Sequence, residues 1–282
     1  MKISKYITRT VFCLGCLLAS GQAAAEGPWV YGAGTGTVGV GYVNDHYDEI
    51  WMGDNKTSFP EVKQQNLWLY YDRGLSDQLM MSVQLGYTQT SFEPAGTVDN
   101  EGMADTSVAV KYQWLNEFTD NSSVSLSGKI RAILKGTYDR ATPGNPQAPG
   151  DKSNGLEAAV QLGRFVTNQI ALFGELGYRA MTQQVPDALF YNVGANAELN
   201  ERVSVNAQYA VMKSQDGLDI GGSGYGGEKD LHRVKEEREW LEFGVSFAVG
   251  DRSSIGAGVA EVLDGQNTGK SSIWNVNYTY SL

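Results

Sequence analysis

The chain has 282 residues, 41% hydrophobic and 19% charged, with 34 glycines, 7 prolines and a net charge of −10. That charge excludes the basic footprint of a nucleic-acid binder, and an aromatic content of 11% excludes a largely disordered chain. Past residue 25 no apolar run reaches the roughly 18 residues that a membrane-spanning helix needs, so a helical membrane bundle is excluded as well.

Residues 1–25 have the features of a secretory signal. Lys2, Lys5 and Arg9 form a basic start, Val11 to Leu18 a short apolar core, and Ala23-Ala24-Ala25 a small-residue cleavage site. The expected mature chain begins at Glu26, and 26–282 is one domain. Both cysteines, Cys13 and Cys16, lie inside the signal. The mature chain therefore has no disulfide, thiol nucleophile or thiolate metal site. A lipoprotein reading of Cys16 is weaker, because Cys13 stands where such a site normally has leucine. Loss of three basic residues makes the mature chain still more acidic.

From there the pattern is alternation of apolar and polar residues, with almost no helical period. Twelve segments carry it: 34–43, 62–73, 78–92, 105–115, 123–138, 155–166, 169–180, 188–199, 202–213, 238–249, 254–263 and 271–282. Leu79, Met81, Val83, Leu85 and Tyr87 alternate with small or polar residues, as do Val108, Val110, Tyr112 and Trp114. Such a period gives each strand one apolar and one polar face. The connections alternate too. Short ones with turn residues fall at 73–77, 117–122, 167–168, 200–201 and 250–253. Long polar ones fall at 44–61, 93–104, 139–154, 181–187, 214–237 and 264–270. Short turns at one end and long loops at the other are the mark of an all-β, twelve-stranded antiparallel transmembrane β-barrel, with short periplasmic turns and long extracellular loops. An even strand number puts both termini on the periplasmic side.

A soluble sandwich or barrel shares the alternation, since pattern alone does not say which face is outside. Three features favour the membrane. The polar face stays polar at mid-strand, as in Ser125, Ser127, Lys129 and Arg131. Aromatics of the apolar face gather near strand ends, with Tyr71, Tyr112 and Trp114 low, and Tyr87, Tyr178, Tyr191, Tyr209 and Trp274 high, as girdles do. The chain also ends inside a strand with Trp274, Val276, Tyr278, Tyr280 and Leu282 on one face. That ending is similar to the signal read by the outer-membrane assembly machinery, although phenylalanine is the stronger final residue. The expected partners are outer-membrane lipid, lipopolysaccharide, that machinery and a small-molecule solute, with no nucleic acid. The expected location is the outer membrane of a Gram-negative bacterium.

Parity assigns the inward side chains. Six are basic, Lys111, Lys129, Arg131, Lys135, Arg179 and Arg238, and three acidic, Glu157, Glu175 and Glu242. Lys129, Arg131 and Lys135 form a ladder on one strand. The charges serve either as a track for solutes or as filler paired across the lumen; both need partners or water. Trp68, Tyr70, Met80, Phe173 and Trp240 share the inward face. A mixed lining suits a solute with an apolar body and a polar group.

The longest loop, 214–237, contains Gly221-Gly222-Ser223-Gly224-Tyr225-Gly226-Gly227 and then a charged run. It lacks the Lys-Ser/Thr of a phosphate loop and reads as a segment able to fold over the pore or as a solvated loop. Asp45, Asp48, Glu49 and Asp54 in 44–61 offer oxygen ligands for calcium, at a spacing that is not diagnostic. His46 and His232 neighbour Asp45 and Asp230 but accompany no serine motif, so no catalytic residue, cofactor site or metal site is assigned.

Several short pieces carry a family resemblance. They are Arg73-Gly74-Leu75-Ser76-Asp77-Gln78-Leu79, Lys135-Gly136-Thr137-Tyr138-Asp139, Gly177-Tyr178-Arg179 followed by Pro186-Asp187, Leu199-Asn200-Glu201-Arg202-Val203-Ser204, and Leu263-Asp264-Gly265-Gln266-Asn267-Thr268. In this order they resemble the outer-membrane channel family labelled "meta-pathway of phenol degradation", over most of 62–282. The resemblance implies a narrow twelve-stranded barrel proposed to pass small, often hydrophobic or aromatic compounds. The charged ladder and Leu282 depart from it. The expected function is a monomeric channel for passive uptake of small solutes, hydrophobic, aromatic or anionic. The alternatives are a structural or surface-interaction barrel with a plugged lumen, and a loop-based hydrolase.

Overall fold

The computed structural model describes residues 27–92, 100–140 and 148–282. The expected signal, 1–25, and parts of two expected loops, 93–99 and 141–147, lie outside the described residues. The strands are β1 (Gly36–Met52), β2 (Asn55–Gly74), β3 (Leu79–Phe92), β4 (Asn100–Met103), β5 (Thr106–Leu115), β6 (Ser125–Leu134), β7 (Gly155–Phe165), β8 (Ile170–Met181), β9 (Ala188–Asn200), β10 (Val203–Ser214), β11 (Glu237–Ala248), β12 (Ser253–Gln266) and β13 (Ser272–Ser281). Apart from β4 and β5, each pairs antiparallel with its neighbour in sequence, and β1 pairs with β13, so the sheet closes on itself. β4 and β5 both pair with β3, end to end, and make one stave broken at Ala104-Asp105. The barrel therefore has twelve staves. Closure leaves no edge whose backbone would go unpaired in lipid.

Burial is inverted relative to a soluble barrel. On β6 Ile130 is 60% exposed while its neighbour Lys129 is 3% exposed; on β7 Leu162 is 49% exposed and Gln161 0%. Apolar residues point outwards along every stave and polar ones point into the lumen, which only a hydrocarbon surround makes favourable. Tyr71, Tyr112 and Trp114 stand outward at one end of the belt, and Tyr87, Tyr178, Tyr191 and Trp274 at the other. Tyr209 is half-buried, its hydroxyl donating to Glu239 at 2.6 Å. Trp274, Val276, Tyr278, Tyr280 and Leu282 are all on the outer wall.

The lumen is not purely polar. Val43, Trp51, Trp68, Phe190, Met212, Trp240, Val262 and Ile273 form an apolar cluster within it, with Tyr70 packed against them. Trp68 fits because Gly86 opposes it across β2 and β3: a Cβ there would lie 2.3 Å from the indole.

Some expected boundaries move. A transmembrane strand needs about 9–11 residues, but β1 has 17 and β2 has 20. The expected loop 44–61 is therefore a hairpin rising beyond the membrane, turning at Gly53-Asp54. Its alternation is lost because neither face meets lipid there, and because a bulge between Tyr47 and Glu49 shifts the register. The expected strand 123–138 stops at Leu134. Past it the backbone of Gly136 donates to Asp105 Oδ1 at 2.7 Å, and Tyr138 turns inward, fully buried, donating to Asp105 Oδ2 at 2.9 Å. Residues 228–233 of the expected loop 214–237 form a short 3-10 helix.

Candidate functional site: the barrel lumen

The extracellular half of the lumen is a vestibule of about 800 Å³. Its wall mixes aromatic and apolar side chains, among them Trp68, Phe59, Phe92 and Tyr138, with polar ones such as Gln64 and Asn66. Arg131, Glu157, Arg179 and Arg238 line it together. Glu157 lies on β7 between β6 and β8, and the register sets Arg131 and Arg179 directly opposite it on either side. Arg179 Nε donates to Glu157 Oε1 at 2.7 Å, and Arg131 Nη1 lies 3.2 Å from Oε2. One buried carboxylate thus serves two guanidiniums, and Asp105 and Asp151 also lie close enough to act on Arg179. Arg238 sits 3.9 Å from Asp45 and stacks 5.7 Å above the Trp240 ring, a cation–π arrangement.

Nearer the periplasm side chains fill the lumen. Lys129 Nζ is 2.9 Å from Glu175 Oε1 and donates to Oε2 at 3.1 Å. Gln161 donates to the same carboxylate, and Ser127 donates to Gln161 Oε1 at 3.1 Å. Lys111 is buried and donates to the carbonyl of Gly27 at 3.1 Å. Glu242 is buried opposite Gln208, and its Oε2 has no hydrogen-bond partner among the described residues. Tyr70 is half-buried, and Met80, Phe173 and Trp240 are buried.

Of the fourteen residues placed inward by parity, thirteen are buried or partly buried inside the barrel. Lys135 is corrected: it follows the last residue of β6 and is exposed. The strand ends there because the backbone of Lys135 donates to Asn154 and that of Gly136 to Asp105 instead of continuing the ladder. The basic ladder has two rungs, Lys129 and Arg131.

The loop between β10 and β11 bends over the vestibule, to which it contributes Ile220, Tyr225, Leu231, His232 and Val234. Asn267 holds it. This residue adopts a left-handed conformation, φ 52°, which asparagine tolerates better than most. Its Oδ1 accepts from the backbone of Gly53 at 2.8 Å and of Ile220 at 3.1 Å, and its Nδ2 donates to Asp219 and to the Lys235 carbonyl. Three extracellular segments are joined at that one amide. The sequence marks it only as a member of the Leu263–Thr268 piece of the family resemblance, with no role attached.

Asp151 also lines the vestibule. The residue is exposed, yet protein surrounds its carboxyl group. That desolvation, with Glu236 and Asp105 close by, pushes it up to about 7 against the pull of Arg140 and Arg179. His232 is held below its ordinary value by burial and by Arg140.

Asp45 and Glu49, two of the acidic residues of 44–61, face basic partners. Asp45 faces Arg238 inside the barrel, and Glu49 is 3.3 Å from Lys56 and 3.4 Å from Lys270. The hairpin separates these carboxylates, and among the described residues no group of three His, Cys, Asp or Glu could hold a metal ion. His46 bonds Glu61 at 3.0 Å across β1 and β2, not its sequence neighbour Asp45.

The family described as "Putative MetA-pathway of phenol degradation" matches residues 62–280. The chain belongs to that family. No curated protein matches it. Among solved structures it is similar to an outer membrane channel from Pseudomonas putida F1, at 12% identity and a TM-score of 0.73, covering 93% of this chain and 100% of that one. It is also similar to the NanC porin, at 11% identity and a TM-score of 0.52, covering 88% and 100%. The translocator domain of the autotransporter NalP from Neisseria meningitidis follows, at 11% and 0.51, covering 89% of each. The shared feature is the outer-membrane β-barrel.

Proposed function

We propose that this chain is an outer-membrane channel through which small solutes enter by passive diffusion, and that it is not an enzyme. The observation that carries the reading is the vestibule of about 800 Å³, with an aromatic and apolar wall beside a guanidinium-rich patch. Its size falls within the range of small-molecule sites, and polar groups converge on one region of a largely apolar lining. The substrate class that fits is a compound with a hydrophobic or aromatic body, a carboxylate or similar anion being drawn to Arg131 and Arg179. Residues 1–25 serve as the cleaved export signal, and the outward face of β13 as the contact for the assembly machinery. Lipopolysaccharide surrounds the extracellular girdle.

The test is single-channel recording in planar bilayers under a salt gradient, alongside liposome swelling with benzoate, benzyl alcohol and a sugar of similar size. Discrete steps with anion preference, and faster swelling with the aromatic solutes, are expected. A second reading, a structural barrel with a plugged lumen, draws on the packed layer of Lys129, Gln161 and Glu175. Silence and no swelling from protein shown to be folded by heat-modifiable migration would select it.

A further inference from the structure

The inner wall formed by β10–β13 and β1 is built differently from the packed side at β6–β8. Three times an asparagine faces a glycine across the ladder: Asn206 and Gly244, Asn275 and Gly258, Asn277 and Gly256. Each carboxamide lies flat over its glycine. A Cβ would come within 2.6 Å of Asn206 Nδ2 at Gly244, 2.6 Å of Asn277 Oδ1 at Gly256 and 2.8 Å of Asn275 Nδ2 at Gly258. Gly39 and Gly41 continue the inward face on β1, with the Tyr70 ring over Gly41. Glycine weakens a strand and marks a place where another group comes close to the backbone. Here the amides do so, and folding them against the wall keeps them out of the bore.

Gly244 is the centre of a second feature. Glu242 and Ser246 flank it on the inward face of β11, and Asn206 faces it from β10. Glu242 and Ser246 are buried, and Asn206 is half-buried. Glu242 Oε2, Asn206 Oδ1 and Ser246 Oγ have no hydrogen-bond partner among the described residues. Cross-strand neighbours displaced by two residues lie about 7–8 Å apart, so the three side chains surround one small space. Buried polar atoms in folded proteins almost always have a partner. Three orphaned oxygens around one glycine therefore mark a place for a group that donates.

The chemistry of the space is that of acceptors. An ionised carboxylate and an amide oxygen only accept, and a serine hydroxyl accepts as readily as it donates. The other inward carboxylates already have basic partners: Glu157 holds Arg131 and Arg179, and Glu175 holds Lys129. Among the described residues Glu242 has none. A hydroxyl or an ammonium group is the complement of such a set, and an apolar group would leave all three oxygens unpaired. Glu242 lies four residues beyond Arg238 on the same face of β11, with Trp240 between them. At about 3.3 Å a residue a solute that leaves the vestibule for the periplasm meets it roughly 13 Å further on.

We propose that Glu242, Asn206 and Ser246 form a recognition site around Gly244 for the hydrogen-bond-donor end of a solute, a hydroxyl or an ammonium. It rests on the channel reading above, to which it adds a selective point in the periplasmic half and a route along the glycine-lined wall. The solute class narrows to an aromatic or apolar body that carries a donor group. Sites of this kind discriminate strongly, because an analogue without the donor leaves buried acceptors unpaired.

The experiment uses three probes with the same ring and carboxylate: 4-(aminomethyl)benzoate, 4-(hydroxymethyl)benzoate and 4-methylbenzoate. Calorimetry measures their binding to the refolded mature chain in detergent, and liposome swelling measures their uptake. The ammonium and hydroxyl probes should bind about tenfold tighter than the methyl probe, the effect of one hydrogen bond to a charged group. Glu242→Gln should weaken the ammonium probe by about tenfold. It should weaken the hydroxyl probe less, since its amide oxygen still accepts, and leave the methyl probe unchanged. Ser246→Ala should weaken both donor probes and spare the methyl probe, and it decides the matter if Glu242→Gln fails to fold by heat-modifiable migration. Equal binding of all three probes, or binding of none, would overturn the site, as would equal losses for all three in the variants. Donor-selective binding without swelling would keep the site and remove the channel reading. Swelling without donor selectivity would keep the channel and remove the site.

Discussion

Lys129 and Glu175 form an ion pair in the middle of the barrel, 2.9 Å apart, with their side chains 2% and 0% exposed. They stand on β6 and β8, with Gln161 of the intervening β7 donating to the same carboxylate. Removing one partner of a buried pair leaves an uncompensated charge, which costs about 3–5 kcal/mol, whereas removing both charges can be close to neutral. Lys129→Met should lower unfolding stability in urea by about that amount, and Lys129→Met with Glu175→Gln should recover most of the loss. Additive losses would show that the two side chains do not act as a pair.

Glu157 neutralises only one of the two guanidiniums it binds. Within a Debye length of about 8 Å at physiological salt, a permeating ion at this level meets Arg131, Arg179 and Glu157 together. Glu157→Gln should therefore move the zero-current potential in a salt gradient towards anions. Replacing both arginines by glutamine should move it towards cations. Unchanged potentials in both variants would place the ion path elsewhere in the lumen.

The staves, their polarity and the inward face were legible because lipid and lumen impose a strict period of two on every residue between them. That is why Lys129, Arg131, Glu157, Glu175, Arg179 and Glu242 could be assigned from parity alone. Legibility stops where the membrane stops. Between residues 44 and 61 polar and apolar residues such as Trp51 and Phe59 are interspersed without a period of two, so a paired hairpin reads as a loop. Lys135 fits the parity of β6 but lies past the point where Gly136 leaves the ladder for Asp105. Asn267 is a loop asparagine by sequence, and its importance comes from three segments distant along the chain.

The Asn267 junction separates backbone from side-chain effects. Asn267→Gly keeps access to φ 52° and removes all four side-chain hydrogen bonds. Loss of buried partners costs about 1–3 kcal/mol per group left unsatisfied. The expected result is faster cleavage of 214–237 by protease added to whole cells, with barrel stability by heat-modifiable migration unchanged. Cleavage at the rate of the parent chain would show that the loop is held by other contacts, such as the Lys235–Asp219 pair at 3.3 Å.

Asp151 gives the vestibule a pH response near neutrality. Its carboxyl is raised to about 7 by desolvation, with Glu236 and Asp105 adding to the rise. Below that value it is neutral, and the nearby charges of Arg140 and Arg179 face one fewer carboxylate. Above it the group ionises and adds one negative charge to the vestibule wall. Raising the pH from 6 to 8 should therefore weaken anion preference, with a midpoint near 7. Asp151→Asn should hold the low-pH selectivity across the whole interval. His232 titrates in the opposite sense of charge but is held below its ordinary value; any contribution from it falls at the acid end, where loss of its proton with rising pH also weakens anion preference. The two are told apart by His232→Gln, which should remove the acid-end change and leave the step near 7. A step near 7 that survives in Asp151→Asn would assign it to another group.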